Sequence, residues 1–269
     1  MANENYMSPL NSDGLVVPVR SAAVYHAHEN SLFLGGELIP VVNAPQGILR
    51  VPELGAVDAD TVSSATNADL ESELPAVTKN DIVAELIASR TVIRDLGNID
   101  ANEVGRVLGI AVAKAFDQSV YTALNSATSS TADSVPLSVA DIFDSVAQIR
   151  ANGEMGPLYG VLTPAEATNI LKEIGTAAYA GSDTFQATAL RQGSIGNLAG
   201  VQFFMSSYIT TSNTAGYIFG ADSMRIAMQQ NITTEVARRA AAVGNDVVTS
   251  LHAKAALIDA NRAVKLINV

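Results

Sequence analysis

The stretch DANEVGRVLGIAVAKAFD, residues 100–117, carries apolar side chains at spacings of three and four, and the same spacing continues to Leu124. This is the period of an α-helix, and it predicts a helix over residues 100–125. Asp100 and Glu103 fall at the N-cap and third helical positions, where their side chains can cap free backbone N–H groups. At about 1.5 Å per residue the helix would be on the order of 35 Å long. Its many alanines would let other elements approach closely.

Two β-prone runs precede this helix, at residues 32–42 and 48–51. The Asn-Ala-Pro-Gln-Gly sequence at 43–47 has turn chemistry, so we predict that the two runs form a hairpin. Residues 82–89 alternate in polarity and predict a further strand. The strands on either side of residues 53–75 would make a projecting two-stranded arm. Because an isolated pair of strands is barely stable in water, this arm is expected to lie on another surface.

Residues 53–75 are acidic and contain neither Lys nor Arg. A segment of this length without periodicity predicts a long exposed loop. Solvated carboxylates do not suit acid–base catalysis, which needs a desolvated pair with shifted pKa values. A calcium site among Asp58, Asp60, Asp69 and Glu71 would lack the dense spacing of a calcium-binding loop. We therefore interpret the segment as a charged surface loop.

The beginning of the chain predicts no helix. Residues 1–14 are polar and are expected to form a flexible arm. Residues 15–19 are interpreted as extended, and Pro18 favours the edge of a sheet. The first residues lack the basic and apolar regions of a signal peptide. No apolar run is long enough to span a bilayer, which favours a soluble protein used inside a cell.

The three histidines give no metal site. His26 and His28 would share one face of a strand and could bind one metal ion. A third ligand would have to come from Glu29, Glu37 or a neighbouring strand, and no pattern marks it. We predict that both histidines are exposed without a metal, and that His252 is a structural residue of the last sheet.

A small α/β unit follows the long helix. Ser138 and Asp141 predict the start of a helix that runs to Arg150, and Thr-Pro-Ala-Glu at 163–166 predicts the start of another. Between them, residues 158–162 are typical of a short buried strand. Loops are expected at 126–136 and 175–199, and strands at 201–208, 217–219, 224–229, 233–239, 247–255 and 263–267.

Composition excludes several functions. Of the 269 residues 48% are hydrophobic, and the net charge is −11. Such an acidic chain repels phosphate backbones, which argues against a nucleic-acid reader. With no cysteine there can be no disulfide, thiol catalysis or Cys-ligated metal.

The glycines of residues 193–200 have the wrong spacing for a phosphate-binding loop, and Ser194 does not lie in a nucleophile elbow. We predict no catalytic, cofactor-binding or metal site.

Four further motifs follow the long helix at fixed places along the chain. They are GVLTP at 160–164, LAGVQFFMS at 198–206, GADSMRIAM at 220–228 and DANRAVKL at 259–266. The order and spacing of these motifs resemble the Hong Kong 97-type capsid fold of tailed-phage major capsid proteins. The resemblance runs from about residue 15 to the end of the chain.

The resemblance implies an α+β chain with four parts. These are an N-terminal arm at 1–27, an extended β-hairpin loop at 28–92, a peripheral domain with a spine helix at 93–137 and 223–269, and a central α/β domain (the A-domain) at 138–222. It also implies a capsid protein that self-assembles into the pentamers and hexamers of an icosahedral head. That head would be assembled in the host cytoplasm and would enclose double-stranded DNA.

The resemblance implies partners as well as copies of the chain itself. A portal is expected. Many relatives begin with a scaffolding domain, and none precedes Leu15, so we expect this chain to need a separate scaffolding protein, or none. Some relatives cross-link a Lys of the extended loop, whereas here only Lys79 lies at its edge, which predicts a shell held by contacts or by a cement protein.

Opposite charges must meet in a closed shell, so we take the acidic loop and the one basic doublet as candidates for contacts between subunits. Arg238 and Arg239 would point to opposite faces of a strand, and one of them would meet the acidic loop of a neighbour. That both are solvated surface charges is the alternative. The acidic candidates are Glu53, Asp58, Asp60, Asp69, Glu71 and Glu73.

Two other functions stay open. An encapsulin-type bacterial nanocompartment shell has the same fold, but its N-terminus normally holds a helical segment, which residues 1–20 do not show. The other is a small-molecule-binding domain or enzyme built on residues 138–222.

Overall fold

The computed structural model describes residues 12–54, 77–94, 100–131, 136–174 and 196–267. The helices are α1 (Ser12–Asn30), α2 (Ala101–Leu124), α3 (Val139–Ala151) and α4 (Pro164–Ile174). The strands are β1 (Val41–Asn43), β2 (Ile48–Leu54), β3 (Val77–Val83), β4 (Glu85–Arg94), β5 (Thr128–Thr131), β6 (Leu158–Leu162), β7 (Asn197–Leu198), β8 (Val201–Met205), β9 (Thr214–Gly220), β10 (Met224–Arg239), β11 (Gly244–Leu257) and β12 (Ala263–Ile267).

Two sheets and a hairpin organise these strands. A four-stranded sheet has the order β1-β10-β11-β4, and a six-stranded sheet has the order β5-β12-β9-β6-β8-β7. Strands β2 and β3 pair only with each other, antiparallel over seven residues each. Helix α2 packs on β11 and β4 of the first sheet, and its C-terminal half joins a core that also contains side chains of the second sheet.

Helix α2 forms where its spacing predicts. The Asp100 side chain accepts a hydrogen bond from the backbone N–H of Asn102, which confirms the predicted N-cap. Glu103, expected to complete a capping box, is hydrogen-bonded to Arg106 one turn later. The buried face of the helix carries Val104, Leu108, Val112, Phe116, Val120 and Leu124.

The beginning of the chain differs from its prediction, because residues 15–19 lie inside helix α1 and are not extended. Pro18 is accommodated within the helix. The helix packs along α2 at very short range: a Cβ added at Gly105 would lie 2.5 Å from the carbonyl oxygen of Val19. The contact face of α1 is made largely of small side chains, so large apolar residues do not recur on one side of it. For that reason the sequence of this helix shows no clear amphipathic pattern.

The predicted hairpin of residues 32–42 with 48–51 is wrong. Strand β1 instead pairs in parallel with β10, a strand about two-thirds of the chain away. Strand β2 pairs with β3, so the two strands on either side of the acidic segment do form a two-stranded sheet. The predicted strand at 82–89 is divided at Ala84, whose backbone N–H donates to Gly47 O.

Two further predictions need correction. The expected loop at 126–136 contains β5, which pairs in parallel with β12. The expected strands 224–229 and 233–239 are one strand, β10, interrupted by register shifts at Gln230. Polar residues at this irregularity made one bent strand look like two.

The α/β unit follows its prediction closely. Ser138 and Asp141 form a reciprocal capping box at the start of α3. Strand β6 is largely buried and is followed by α4, and β8 lies parallel to β6 in the sheet. Helices α3 and α4 cover one face of the six-stranded sheet, and their apolar sides share one core with it.

Candidate functional site

The β2–β3 hairpin has two different faces. Leu49 and Ile82 are cross-strand partners on the inner face and pack against Ala227 and its neighbours in the four-stranded sheet. Ile82 is 3% exposed. On the outer face, Ile48 and Val83 are cross-strand partners and are 46% and 53% exposed. The hairpin therefore rests on its own subunit by one face and presents apolar side chains on the other.

The outer face of the hairpin also carries charge. Arg50 and Asp81 are cross-strand partners, with 3.5 Å between Nε and Oδ1, and both are largely exposed. Further along this face, Val77 is 54% exposed and Lys79 is exposed. An exposed surface that combines apolar pairs with charges is typical of a contact surface.

In the sequence, the six acidic candidates belong to the end of β2 and to the segment between β2 and β3. The backbone of Glu53 belongs to β2 and is paired with Thr78. The others fall outside the described residues: Asp58, Asp60, Asp69, Glu71 and Glu73. Their role in contacts between subunits stays a prediction.

The two basic candidates lie at the tip of the β10–β11 hairpin. Arg238 and Arg239 are both exposed, opposite Asn245 and Gly244. The turn after them ends at Val243, which has a φ of 47° and is 60% exposed. A β-branched residue in the left-handed region is strained, so this tip presents an apolar side chain at a cost in backbone energy.

An ion pair ties the β10–β11 hairpin to the neighbouring strand β4. Arg90 on β4 donates from Nε to Asp246 Oδ1 on β11 at 2.7 Å. The pairing lowers the pKa of Asp246, chiefly through this hydrogen bond. The pair therefore ties β4 to β11, and β11 pairs along its length with β10, the strand that carries Arg239.

A buried carboxylate joins α1 to α2. Asp117 is completely buried on α2 and accepts hydrogen bonds from Ser31 Oγ at 2.5 Å and from the Leu32 N–H at 3.1 Å. Burial raises the pKa of Asp117 to about 6, although these hydrogen bonds act in the opposite direction. The sequence reasoning missed this group, although a carboxylate on the apolar side of a predicted helix could have signalled it.

The histidines do not share a strand face, because both lie in α1, where residues two apart point in different directions. His26 Nδ1 lies 3.0 Å from Glu29 Oε2. Among the described residues there is no group of three or more side chains suited to hold a metal ion. His252 lies in β11, within the four-stranded sheet.

In the described part of the chain no helix is both long and apolar enough to cross a membrane.

Comparisons with solved structures bear on the whole arrangement. No family model and no curated protein matches the sequence. A chain of the capsid of the cyanophage P-SCSP1u is 16% identical, with a TM-score of 0.68 over 88% of each chain. A chain of Mycobacterium phage Che8 is also 16% identical, with a TM-score of 0.64 over 99% of this chain and 94% of that one.

The fold is the Hong Kong 97-type capsid fold. A virus-like particle from Pyrococcus furiosus shares it, with 14% identity and a TM-score of 0.65 over 93% of this chain and 98% of that one. The described chain contains two sheets, the long helix α2 and the β2–β3 hairpin, and the assignment of these elements to the named parts of the capsid fold stays a prediction. The four-part division at residues 27, 92, 137 and 222 stays a prediction.

Proposed function

We propose that this chain is the major capsid protein of a tailed phage and assembles into the pentamers and hexamers of an icosahedral head. The observation that carries the proposal is a capsid fold along nearly the whole chain, in a molecule whose β2–β3 hairpin has an uncovered apolar face. The fold supplies the architecture, and the hairpin supplies a surface that a neighbouring copy would bury.

Assembly of this kind distributes its free energy over many modest contacts. Burying Ile48 and Val83 against a neighbour would contribute on the order of 1 kcal/mol each, because each is about half-exposed in the free subunit. A subunit that contacts several neighbours gains from all of them together, so weak single contacts can produce a stable shell.

The shell would enclose double-stranded DNA without reading its sequence. A net charge of −11 suits a container that does not grip its contents. We propose that a portal and a separate scaffolding protein act with it in the host cytoplasm, that a cement protein could bind the finished shell, and that the chain has no catalytic role. Lys79, at the hairpin, is not expected to form a covalent cross-link.

Expression of the full chain tests the proposal. We expect particles that sediment far ahead of a 28.0 kDa monomer and appear as closed shells by electron microscopy. A co-expressed scaffolding protein should be supplied in a second arm, because some shells need one. A chain that remains monomeric in both arms by light scattering would refute the shell and would favour a small-molecule-binding α/β unit at residues 138–222.

An encapsulin-type compartment is the second candidate, and helix α1 favours it. The sequence predicts no N-terminal helix, but Ser12–Asn30 forms one, so the feature expected to set this chain apart from encapsulins does not do so. The likeness to the virus-like particle points the same way. Nuclease-resistant DNA in particles from the native source would indicate a phage head, and co-purifying enzyme cargo would indicate a compartment.

A further inference from the structure

Helix α3 has an apolar side that faces solvent. Its exposed side chains fall within an arc of about 100°, at about 100° per residue. Four of the five are apolar, and Phe143 among them is 50% exposed. An exposed helix face is normally rich in charge, and here Asp144 is the one charged member of the arc. The members are Ala140, Phe143, Asp144, Ala147 and Ala151.

The loop after α3 adds one more exposed apolar side chain. Met155 is 85% exposed, although the backbone around it is firmly held. Arg150 Nη1 donates to the carbonyl oxygens of Glu154 and Gly156, at 2.7 and 2.9 Å, on either side of Met155. Because this backbone is already held in place, burying Met155 would order only the side chain and not the loop, which suits a contact point. We call the arc and Met155 the α3 patch.

Helix α4 presents a complementary surface, the α4 patch, made of Ala165, Thr168 and Lys172, all exposed. The Thr168 hydroxyl donates to the carbonyl oxygen of Pro164 at 2.8 Å, so burying it would leave no unpaired donor. Lys172 supplies a positive charge opposite in sign to Asp144. Within the described residues neither Asp144 nor Lys172 has an ion-pair partner in its own chain.

The two patches are held in fixed positions relative to each other. Glu173 and Glu166 on α4 accept hydrogen bonds from the backbone N–H groups of Val139 and Leu137, at 2.8 and 3.1 Å. Helix α3 contacts β12 and β9, whereas α4 directly follows β6, which lies on the far side of β9 from β12 in the sheet. One copy can therefore contact one neighbour through α3 and another neighbour through α4. Such head-to-tail contacts between identical subunits can close a ring.

We propose that the α3 patch of one copy packs on the α4 patch of a second copy, with Asp144 opposite Lys172. This inference rests on the proposed shell function and assigns one of its contacts. Phe143 and Met155 would cover the small side chains of Ala165 and Thr168. The charge pair at the margin would fix the register and disfavour the symmetric α3–α3 and α4–α4 contacts, in which like charges would meet.

A charge exchange tests the pairing. Asp144→Lys and Lys172→Asp should each raise the protein concentration needed for half-assembly about five-fold, the effect of losing roughly 1 kcal/mol per contact. The double variant should return to within about two-fold of the wild type, because the pair is restored with its signs exchanged. Glu37→Lys makes the same charge change as Asp144→Lys in the segment between α1 and β1, on none of the candidate contact surfaces, and should leave assembly unchanged.

The apolar part is tested separately with Phe143→Ser and Met155→Ser, each checked for an unchanged circular dichroism spectrum and thermal midpoint. Both should reduce assembly more than the charge variants do. If the wild type assembles and all these variants assemble equally well, only this inference is wrong. If the wild type itself stays monomeric with and without a scaffold, the proposed function fails instead. Single charge variants that weaken assembly without rescue in the double variant would also overturn the pairing.

Discussion

Asp117 shows how one residue can join two elements and respond to pH. It is a carboxylate on the buried side of α2, among apolar neighbours such as Phe116 and Val120. Its oxygens accept hydrogen bonds from Ser31 and Leu32, immediately after α1 ends. No cation is among the groups that shift its pKa; Tyr121 is the titratable group that faces it on α2. The position of α1 therefore depends on a carboxylate that is costly to ionise.

The sign of its pH dependence follows from the raised pKa. Asp117 has a pKa of about 6 in the fold against an ordinary value of 3.8, so the folded state binds the proton more tightly. This group's contribution to stability is full below about pH 4 and is lost as the pH rises through about 6. The difference corresponds to roughly 3 kcal/mol if Asp117 acts alone.

Asp117→Asn should remove this dependence. The amide loses one accepted hydrogen bond, at a cost of about 1 kcal/mol, but it does not titrate. As the pH rises from 4.5 to 7.5, the wild type should lose this contribution to its free energy of unfolding, and the variant should not. The stability of the variant relative to the wild type should therefore increase over this range. Urea unfolding of the unassembled subunit across this range measures the difference, with the exposed Asp144→Asn as the control. Parallel curves for wild type and Asp117→Asn would show that Asp117 does not titrate in this window.

At the scale of elements, the α1–α2 contact depends on glycine. A Cβ at Gly109 would lie 2.9 Å from the Cα of Ala23 and 3.0 Å from its carbonyl carbon, which are backbone atoms that cannot move aside alone. Two helices approach this closely only where small residues face each other.

Gly109→Ala tests this contact against helix propensity. In an isolated helix the change would stabilise by about 1 kcal/mol. Here we expect a net loss of about 1–3 kcal/mol and faster amide exchange along α1, because the added methyl group overpacks the contact. Gly35→Ala is the control, since a Cβ there meets nothing within 4 Å. A more stable Gly109→Ala variant would mean that α1 packs less tightly than described.

The β2–β3 hairpin offers a matched pair of adjacent residues that face opposite sides. Ile82→Ala removes a buried side chain and should lower the stability of the hairpin by about 2 kcal/mol, measured by amide exchange in β2 and β3. Val83→Ala should change it by less than about 0.5 kcal/mol, since Val83 is half-exposed. In sedimentation assays Val83→Ala should weaken assembly by more than its small effect on the stability of the subunit would explain. If Val83→Ala leaves assembly unchanged, the outer face is not a contact surface.

Sequence reasoning succeeded where local rules decide the structure. The caps at Asp100 and at Ser138 with Asp141 satisfy backbone groups a few residues away, so their pattern is visible in the sequence. It failed for α1, whose packing face is defined by Gly105 and Gly109 about 90 residues later. It failed also for β1, whose parallel partner β10 lies far along the chain, because no local pattern encodes a distant strand partner.

At the scale of the whole molecule, the contact candidates lie on three separate structures. The β2–β3 hairpin, the tip of the β10–β11 hairpin and the α3–α4 side of the six-stranded sheet each have exposed apolar side chains: Ile48, Val83, Val243, Phe143 and Met155. Scattered exposed apolar residues are common on monomers. Here the Arg90–Asp246 pair holds the strands near Val243, and Arg150 holds the backbone on either side of Met155. A subunit with three such surfaces can contact several neighbours at once, which a closed shell requires.

The tip of the β10–β11 hairpin carries the remaining sequence hypothesis, that an arginine there meets the acidic segment of a neighbouring copy. Arg239 is exposed at the end of β10, which pairs with β11, and the Arg90–Asp246 pair ties β11 to β4. The positive charge of Arg239 helps to lower the pKa of Asp246. Arg239→Glu should leave the subunit folded but weaken assembly by about 1 kcal/mol per contact at low salt, and less at high salt, where exposed charges are screened. Arg239→Lys should retain most of the assembly because it keeps the charge, and Arg20→Glu on α1 is the matched reversal elsewhere. Gel filtration and sedimentation at 50 and 500 mM salt measure the protein concentration at which each variant assembles. If Arg239→Glu assembles in low salt at the same protein concentration as the wild type, this arginine is only a solvated surface charge.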